Sequence, residues 1–238
     1  MKQKDQAILI RKTNYSETSL ILTLFCREKG IKKFIFQGGK KKHGNILFPL
    51  AVLETEYYAR NDSELGKVTS VTPEFIYTSI HTHPYKSATV FFIAEILQKV
   101  LNQENEKEEA FFLFLVAEIY ELDVAPFEAN FPLWFIIELT KWLGIEPQCD
   151  SPNSRYFNKK DGHISTILET NSSLVESGNH IEIVSKIIHL TKDQALGLTL
   201  SSRERNKSLR VMLDYYAMHI HGFSFPKSLE VLEEVLHG

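Results

Sequence analysis

Cysteine is scarce in this 238-residue sequence, which holds only Cys26 and Cys149. That count excludes a disulfide framework and points to a cytosolic protein with reduced thiols. Cys149 has no C-x-x-C partner among its neighbours Gln148, Asp150, Ser151 and Pro152, so it makes no zinc site by itself. Long apolar runs are also missing. The stretch "AFFLFLVAEIY" (110–120) meets acids well before the roughly 18 residues that a membrane span needs. The apolar part of "MKQKDQAILIRK" is too short, and too soon charged again, for a signal peptide. Neither an internal repeat nor a low-complexity tract is present, so solenoids and disordered arms are not expected.

Present instead is an ordinary globular composition, 43% hydrophobic and 24% charged, enough for one large domain or a few small ones. The net charge of −3 conceals an asymmetry. Residues 1–77 carry 13 Lys+Arg against 8 Asp+Glu, and the remainder carries 14 against 22. A change of sign along the chain suggests two domains with different partners.

The first 72 residues read as strands. "AILIRK" (7–12), "SLILTLFC" (19–26), "IKKFIFQ" (31–37), "LAVLETEYYAR" (50–60) and "GKVTSVT" (66–72) are short, β-rich and separated by turns. Five such runs suit a small antiparallel barrel or sandwich. In 50–60, Leu53, Thr55 and Tyr57 lie on one side, and Glu54, Glu56 and Tyr58 on the other. The pattern turns helical after Pro73. Helices are expected over 73–101, 106–124, 132–144, 180–190, 208–222 and 226–238. Thr191 with Gln194, and Ser201 with Glu204, fit capping boxes. A polar insertion near 145–178 contains "NKKDGH", a hairpin-turn sequence. The expected organisation is α+β and multidomain, a β module over 1–77 and an α-helical domain over 78–238.

The stretch "IKKFIFQGGKKKHGNILFPL" (31–50) invites a phosphate-loop reading. Its glycines Gly38, Gly39 and Gly44 do not fit G-x-x-x-x-G-K-[ST], and strand periodicity follows rather than a helix. The "HTH" at 81–83 has two-ligand spacing, but it precedes Pro84 at an apparent element boundary. Solvated or capping histidines are the expectation there. His219 and His221, two apart on a helix, point to different faces. No nucleophile elbow or Cys/His signature occurs, and the adjacent Glu233 and Glu234 splay apart on a helix. No catalytic residue and no metal ligand is assigned.

A small β module with a lysine-rich loop does suit nucleic acid. Lysine and arginine neutralise phosphates by releasing counterions, and aromatic rings stack on bases. The candidate DNA-binding residues are Arg11, Lys12, Tyr15, Lys32, Lys33, Lys40, Lys41, Lys42, Arg60 and Lys67. Phe34, Phe36 and Tyr57 are further possible stackers. Phe34 and Phe36 share a strand face, and filling the core is their preferred role. Tyr15, in a turn, is the better stacking candidate.

These residues also resemble a family. "AILIRKTNYSETSLILTLFCREKGIKKFIFQGGKKKHG" followed by "LFPLAVLETEYY" is similar to the N-terminal domain of the RecO recombination mediators, through Tyr15, Glu17, Ser19, Ile21 to Phe25, Gly30, Gly38 to Lys42, Pro49, Leu53, Glu54 and Tyr57. "FPKSLEVLEEVL" is similar to the family's closing helix, through Lys227, Ser228, Leu229 and Leu232. The resemblance implies an OB-fold barrel joined to a helical domain. It implies binding of single- and double-stranded DNA, annealing of strands coated with single-strand-binding protein, and help in loading the recombinase. The implied partners are the ring-forming RecR protein and the acidic C-terminal tail of single-strand-binding protein. The implied setting is cytoplasmic and nucleoid-associated. Some members carry a four-cysteine zinc site. Here Cys149 stands near the place of the first cysteine and the others are absent, so no zinc and no other cofactor is expected.

A non-enzymatic DNA-binding mediator is therefore the leading expectation. An OB-fold RNA-binding or translation-associated module is the alternative. A metal-dependent nuclease using His81, His83 and nearby acids stands third.

Overall fold

The computed structural model describes residues 2–40, 46–58, 65–101, 109–168 and 174–236. They fall in two compact units, Met1–Pro126 and Phe127–Gly238.

In the first unit, β1 (Lys2–Asn14), β2 (Leu20–Cys26), β3 (Gly30–Phe36), β4 (Val52–Tyr58) and β5 (Leu65–Pro73) close a barrel in the order β1-β2-β3-β5-β4. β1 is longer than its apolar run because it serves two neighbours. Its polar first half pairs with β4, from Lys2 opposite Tyr58 to Ile8 opposite Val52. Its second half pairs with β2. The parallel pairing of β3 with β5 completes the ring. Alternate residues fill the interior: Leu9, Leu22, Leu24, Phe34, Phe36, Leu53, Tyr57, Val68 and Val71 are all buried. The Phe34 and Tyr57 rings meet inside at 4.7 Å. Core is therefore the role of these aromatics, and stacking on bases from Phe34, Phe36 or Tyr57 is not available to them. A Cβ on Gly66 would stand 2.6 Å from the Phe34 ring, so that strand position takes only glycine.

Two bulges set which side chains face out. The β1–β2 register shifts between Leu9 and Arg11, leaving Ile10 extra on β1. The β4–β5 register shifts between Glu56 and Tyr57, leaving Thr69 extra on β5. Each bulge reverses the in–out phase of the strand beyond it.

Residues 74–83 do not join the helix expected from Pro73. α1 spans Pro84–Val100, with Pro84 in its first turn, where a missing N–H costs nothing. The preceding segment is held by α2 (Glu109–Val124). The Asp123 carboxylate accepts the backbone N–H groups of Thr78, Ser79 and Ile80 at 2.7–2.9 Å, and the Thr78 hydroxyl at 2.8 Å. The buried Lys86 amine donates to the Ser79 hydroxyl and to the carbonyls of Asp123 and Ala125. Phe111 and Phe112 of α2 pack on Phe25 at 5.7 and 5.8 Å.

The second unit contains α3 (Phe131–Trp142), α4 (Asn179–His189), α5 (Lys192–Leu196), α6 (Ser202–His219) and α7 (Ser228–Val235). Both capping boxes form, Thr191 with Gln194 on α5 and Ser201 with Glu204 on α6. The buried Tyr216 hydroxyl donates to the Ile136 carbonyl and ties α6 to α3. The polar insertion is a four-stranded sheet of β6 (Gln148–Cys149), β7 (Tyr156–Asn158), β8 (His163–Ser165) and β9 (Val175–Ser177), in the order β6-β8-β7-β9. The "NKKDGH" turn joins β7 to β8, with Gly162 at φ +68°. Lys159 holds this sheet through Glu176 at 2.9 Å and Asp214 of α6 at 3.5 Å.

Candidate nucleic-acid interface

Register decides which candidates meet. Arg11, Thr23, Lys33 and Leu65 are directly paired across β1, β2, β3 and β5, so they share the outer face. The next outward row is Thr13, Ile21, Ile35, Lys67 and Tyr58. Arg11, Lys33 and Lys67 are all exposed, and none pairs with a carboxylate among the described residues. Between them lie the half-exposed Ile21 and Ile35. Tyr58, 49% exposed, stands opposite Lys67. Tyr58, and not the buried Tyr57, is therefore the aromatic that β4 offers to a ligand. Strand alternation was the available signal, since Tyr58 falls on the Glu54–Glu56 side.

A second group gathers at one rim of the barrel. Lys12, Asn14, Leu20 and Lys40 line a shallow hollow. The Lys12 amine donates to the Leu47 carbonyl at 2.6 Å, and the Lys40 amine to the Ser16 carbonyl at 2.6 Å. Carbonyls hold these amines in place without cancelling their charge. Tyr15, 60% exposed, begins the tight turn that contains Ser16. Lys32 belongs to neither group. It sits opposite Leu24, in the inward phase, just short of the point where β5 joins, and its side chain is exposed. Lys41, Lys42 and Arg60 lie outside the described residues.

The rest of the barrel surface is electrically different. Lys2 and Lys4 bind Glu56 at 2.5 and 3.2 Å, and Arg27 binds Glu109. Both lysine contacts hold the Glu56 carboxyl below the usual carboxylate range. A hollow on that side carries Asp5, Glu28, Glu54 and Glu56. Burial pushes the Asp5 carboxyl up to about 6, although the Glu28 backbone N–H opposes this. One side of the barrel thus presents cations that have no carboxylate partner among the described residues, and the other presents acids and neutralised pairs.

His81 and His83 do not come together as ligands. The exposed His81 stands edge-on to Phe48 at 4.3 Å, and His83 packs near Tyr85 at 5.4 Å. The Cys149 thiol contacts the Ser151 carbonyl, and the nearby His163 is taken by Asp150 at 2.8 Å. The described residues contain no group of three His, Cys, Asp or Glu side chains fit to hold a metal ion. A lone thiol beside an occupied imidazole does not suit the zinc site of the four-cysteine members. Among the described residues no helix is long and apolar enough to cross a membrane.

A closed five-stranded barrel with one cationic face, followed by helices, defines an OB-fold protein with a helical extension. Residues 1–77 match the family described as "Recombination protein O N terminal", and residues 81–229 match "Recombination protein O C terminal". The chain belongs to the RecO family of bacterial DNA repair proteins. It is 36% identical to "DNA repair protein RecO" of Flavobacterium psychrophilum over 240 residues, covering 99% of each chain. The same-named proteins of Flavobacterium johnsoniae and Christiangramia forsetii are 32% identical with 99% of each chain covered, and 30% identical with 97% covered, respectively.

Proposed function

We propose that this protein is a non-enzymatic recombination mediator that anneals complementary DNA strands coated with single-strand-binding protein and helps load the recombinase. The supporting observation is the outer barrel face on which Arg11, Lys33 and Lys67 stand without carboxylate partners among the described residues. Phosphates of two strands bound there lose part of their mutual repulsion, so complementary bases meet more often. The step is physical association and uses no nucleotide hydrolysis, in keeping with the missing phosphate loop. The protein works at the nucleoid with the RecR ring and the acidic tail of single-strand-binding protein, and without zinc or another cofactor.

Strand annealing tests this reading. Two complementary oligonucleotides, one labelled, are coated with single-strand-binding protein and mixed with the chain in the absence of ATP. Faster duplex formation is the expected result. Intact DNA binding without acceleration would overturn the mediator reading and favour the RNA-associated alternative. Binding of the acidic tail peptide to the full chain, weakening as salt rises, tests the partner claim, and no binding at low salt would remove it.

A further inference from the structure

We propose that Phe48, His81 and Phe91 form a ledge on which unpaired nucleobases stack, carrying a single strand onward from the barrel rim. The proposal rests on the DNA-binding reading above and names the strand state that this part of the surface recognises. All three rings lie within the Met1–Pro126 unit. Phe48 stands edge-on to His81 at 4.3 Å and 87°, and to Phe91 at 5.5 Å and 72°. His81 is exposed, Phe91 is 48% exposed and Phe48 is partly exposed. Each ring keeps part of its surface open to solvent, and an aromatic surface is what a base stacks on whatever its sequence.

Charge complementarity favours a nucleic-acid occupant. The Lys12 amine, at the rim hollow, is bonded to the carbonyl of Leu47, the residue before Phe48. Lys12 thus sets a cation at the residue next to Phe48, where it attracts a backbone phosphate. On α1, Glu95 lies one turn beyond Phe91 and is held by Lys99 at 3.6 Å, so its charge is offset. The ledge is also preorganised. The Ala51 N–H donates to the Phe48 carbonyl, the Leu50 N–H to the Leu9 carbonyl, and the Asp123 carboxylate holds Ile80 next to His81. Rings fixed before binding lose little entropy on binding. In a duplex the base faces are already stacked, so the ledge adds affinity for single strands only.

The test compares a labelled oligothymidine with a duplex of equal length, each titrated with the full chain at several salt concentrations. The variant His81→Ala/Phe91→Ala should bind the single strand about tenfold or more weakly, with duplex affinity and salt slope unchanged. Phe91→Tyr should retain strand binding, whereas Phe91→Leu, apolar but without a π face, should not. Unchanged strand affinity in the double variant would overturn the ledge, as would equal losses on strand and duplex. Wild-type affinity in Phe91→Leu would also overturn it and would mark the patch as an apolar protein contact. Wild-type protein that binds neither DNA would remove the functional reading and the ledge together. Normal wild-type binding with indifferent variants would remove the ledge alone.

Discussion

Replacing Arg11, Lys33 and Lys67 by glutamine should flatten the salt dependence of DNA binding by a calculable amount. These three cations lie on one outward face, in adjacent rows, without carboxylate partners among the described residues. Arg11 and Lys33 are two strands apart, roughly 10 Å, so they can reach separate phosphates. Each phosphate contact contributes about 0.7 to the slope of log K against log salt for a single strand and about 0.9 for a duplex. Three lost contacts therefore lower its magnitude by about 2 and about 3 respectively. The matched control is Lys2→Gln/Lys4→Gln. It also removes barrel lysines, but ones already neutralised by Glu56. Its slope should stay at the wild-type value. Exposed substitutions of this kind cost little stability, so unfolding should not confuse the comparison. Fluorescence anisotropy over a series of salt concentrations reads the slopes directly. An unchanged slope in the triple variant, or the same change in the control, would refute the argument that bare cations define the binding face.

Asp5→Asn should raise the melting temperature at pH 7. Burial raises the native carboxyl to about 6, so folding disfavours its ionised form and stability falls as pH rises from about 4 towards 6. The gain should therefore vanish near pH 4, and a gain independent of pH would contradict this origin. Asp123→Asn should act in the opposite sense and cost about 3 kcal/mol at neutral pH, because it strips charge from an acceptor of four hydrogen bonds. Burial pushes the Asp123 carboxyl up, but its donors more than offset this and hold it below the usual carboxylate range. Its contribution is full above the unfolded carboxylate pKa of about 4 and is lost as pH falls through the lower native value. Melting curves from neutral to acid pH should show the variant's deficit shrinking, and a constant deficit would refute the ionic origin. Metal analysis of the purified chain should find well below one zinc per molecule, and a stoichiometric value would refute the reading of Cys149.

Much of the fold is legible in the order of residues, because local signals and burial agree there. The five β-rich runs and the turns between them predict a small barrel. The boxes at Thr191 and Ser201 mark two helix starts, since their hydroxyls satisfy N–H groups that a helix leaves free. Phe34 and Phe36 could be assigned to the core from their spacing. The first half of β1 is not legible, because "KQKDQ" is polar and only β4, some fifty residues away, makes it a strand. Residues 74–83 carry no local signal that separates them from the helix that follows, because what holds them is the remote carboxylate of Asp123.

Lysine and arginine content by itself determined that the first part of the chain is cationic. Only the tertiary structure decided which cations act together. Simple alternation would put Arg11 on the same side as Leu9, and Lys67 on the same side as Val71, both inside. One extra residue in each strand, Ile10 and Thr69, reverses the phase and turns both cations outward beside Lys33. Cross-strand pairing likewise spends Lys2 and Lys4 on Glu56. Register is a property of two strands at once, and neither strand's sequence contains it alone.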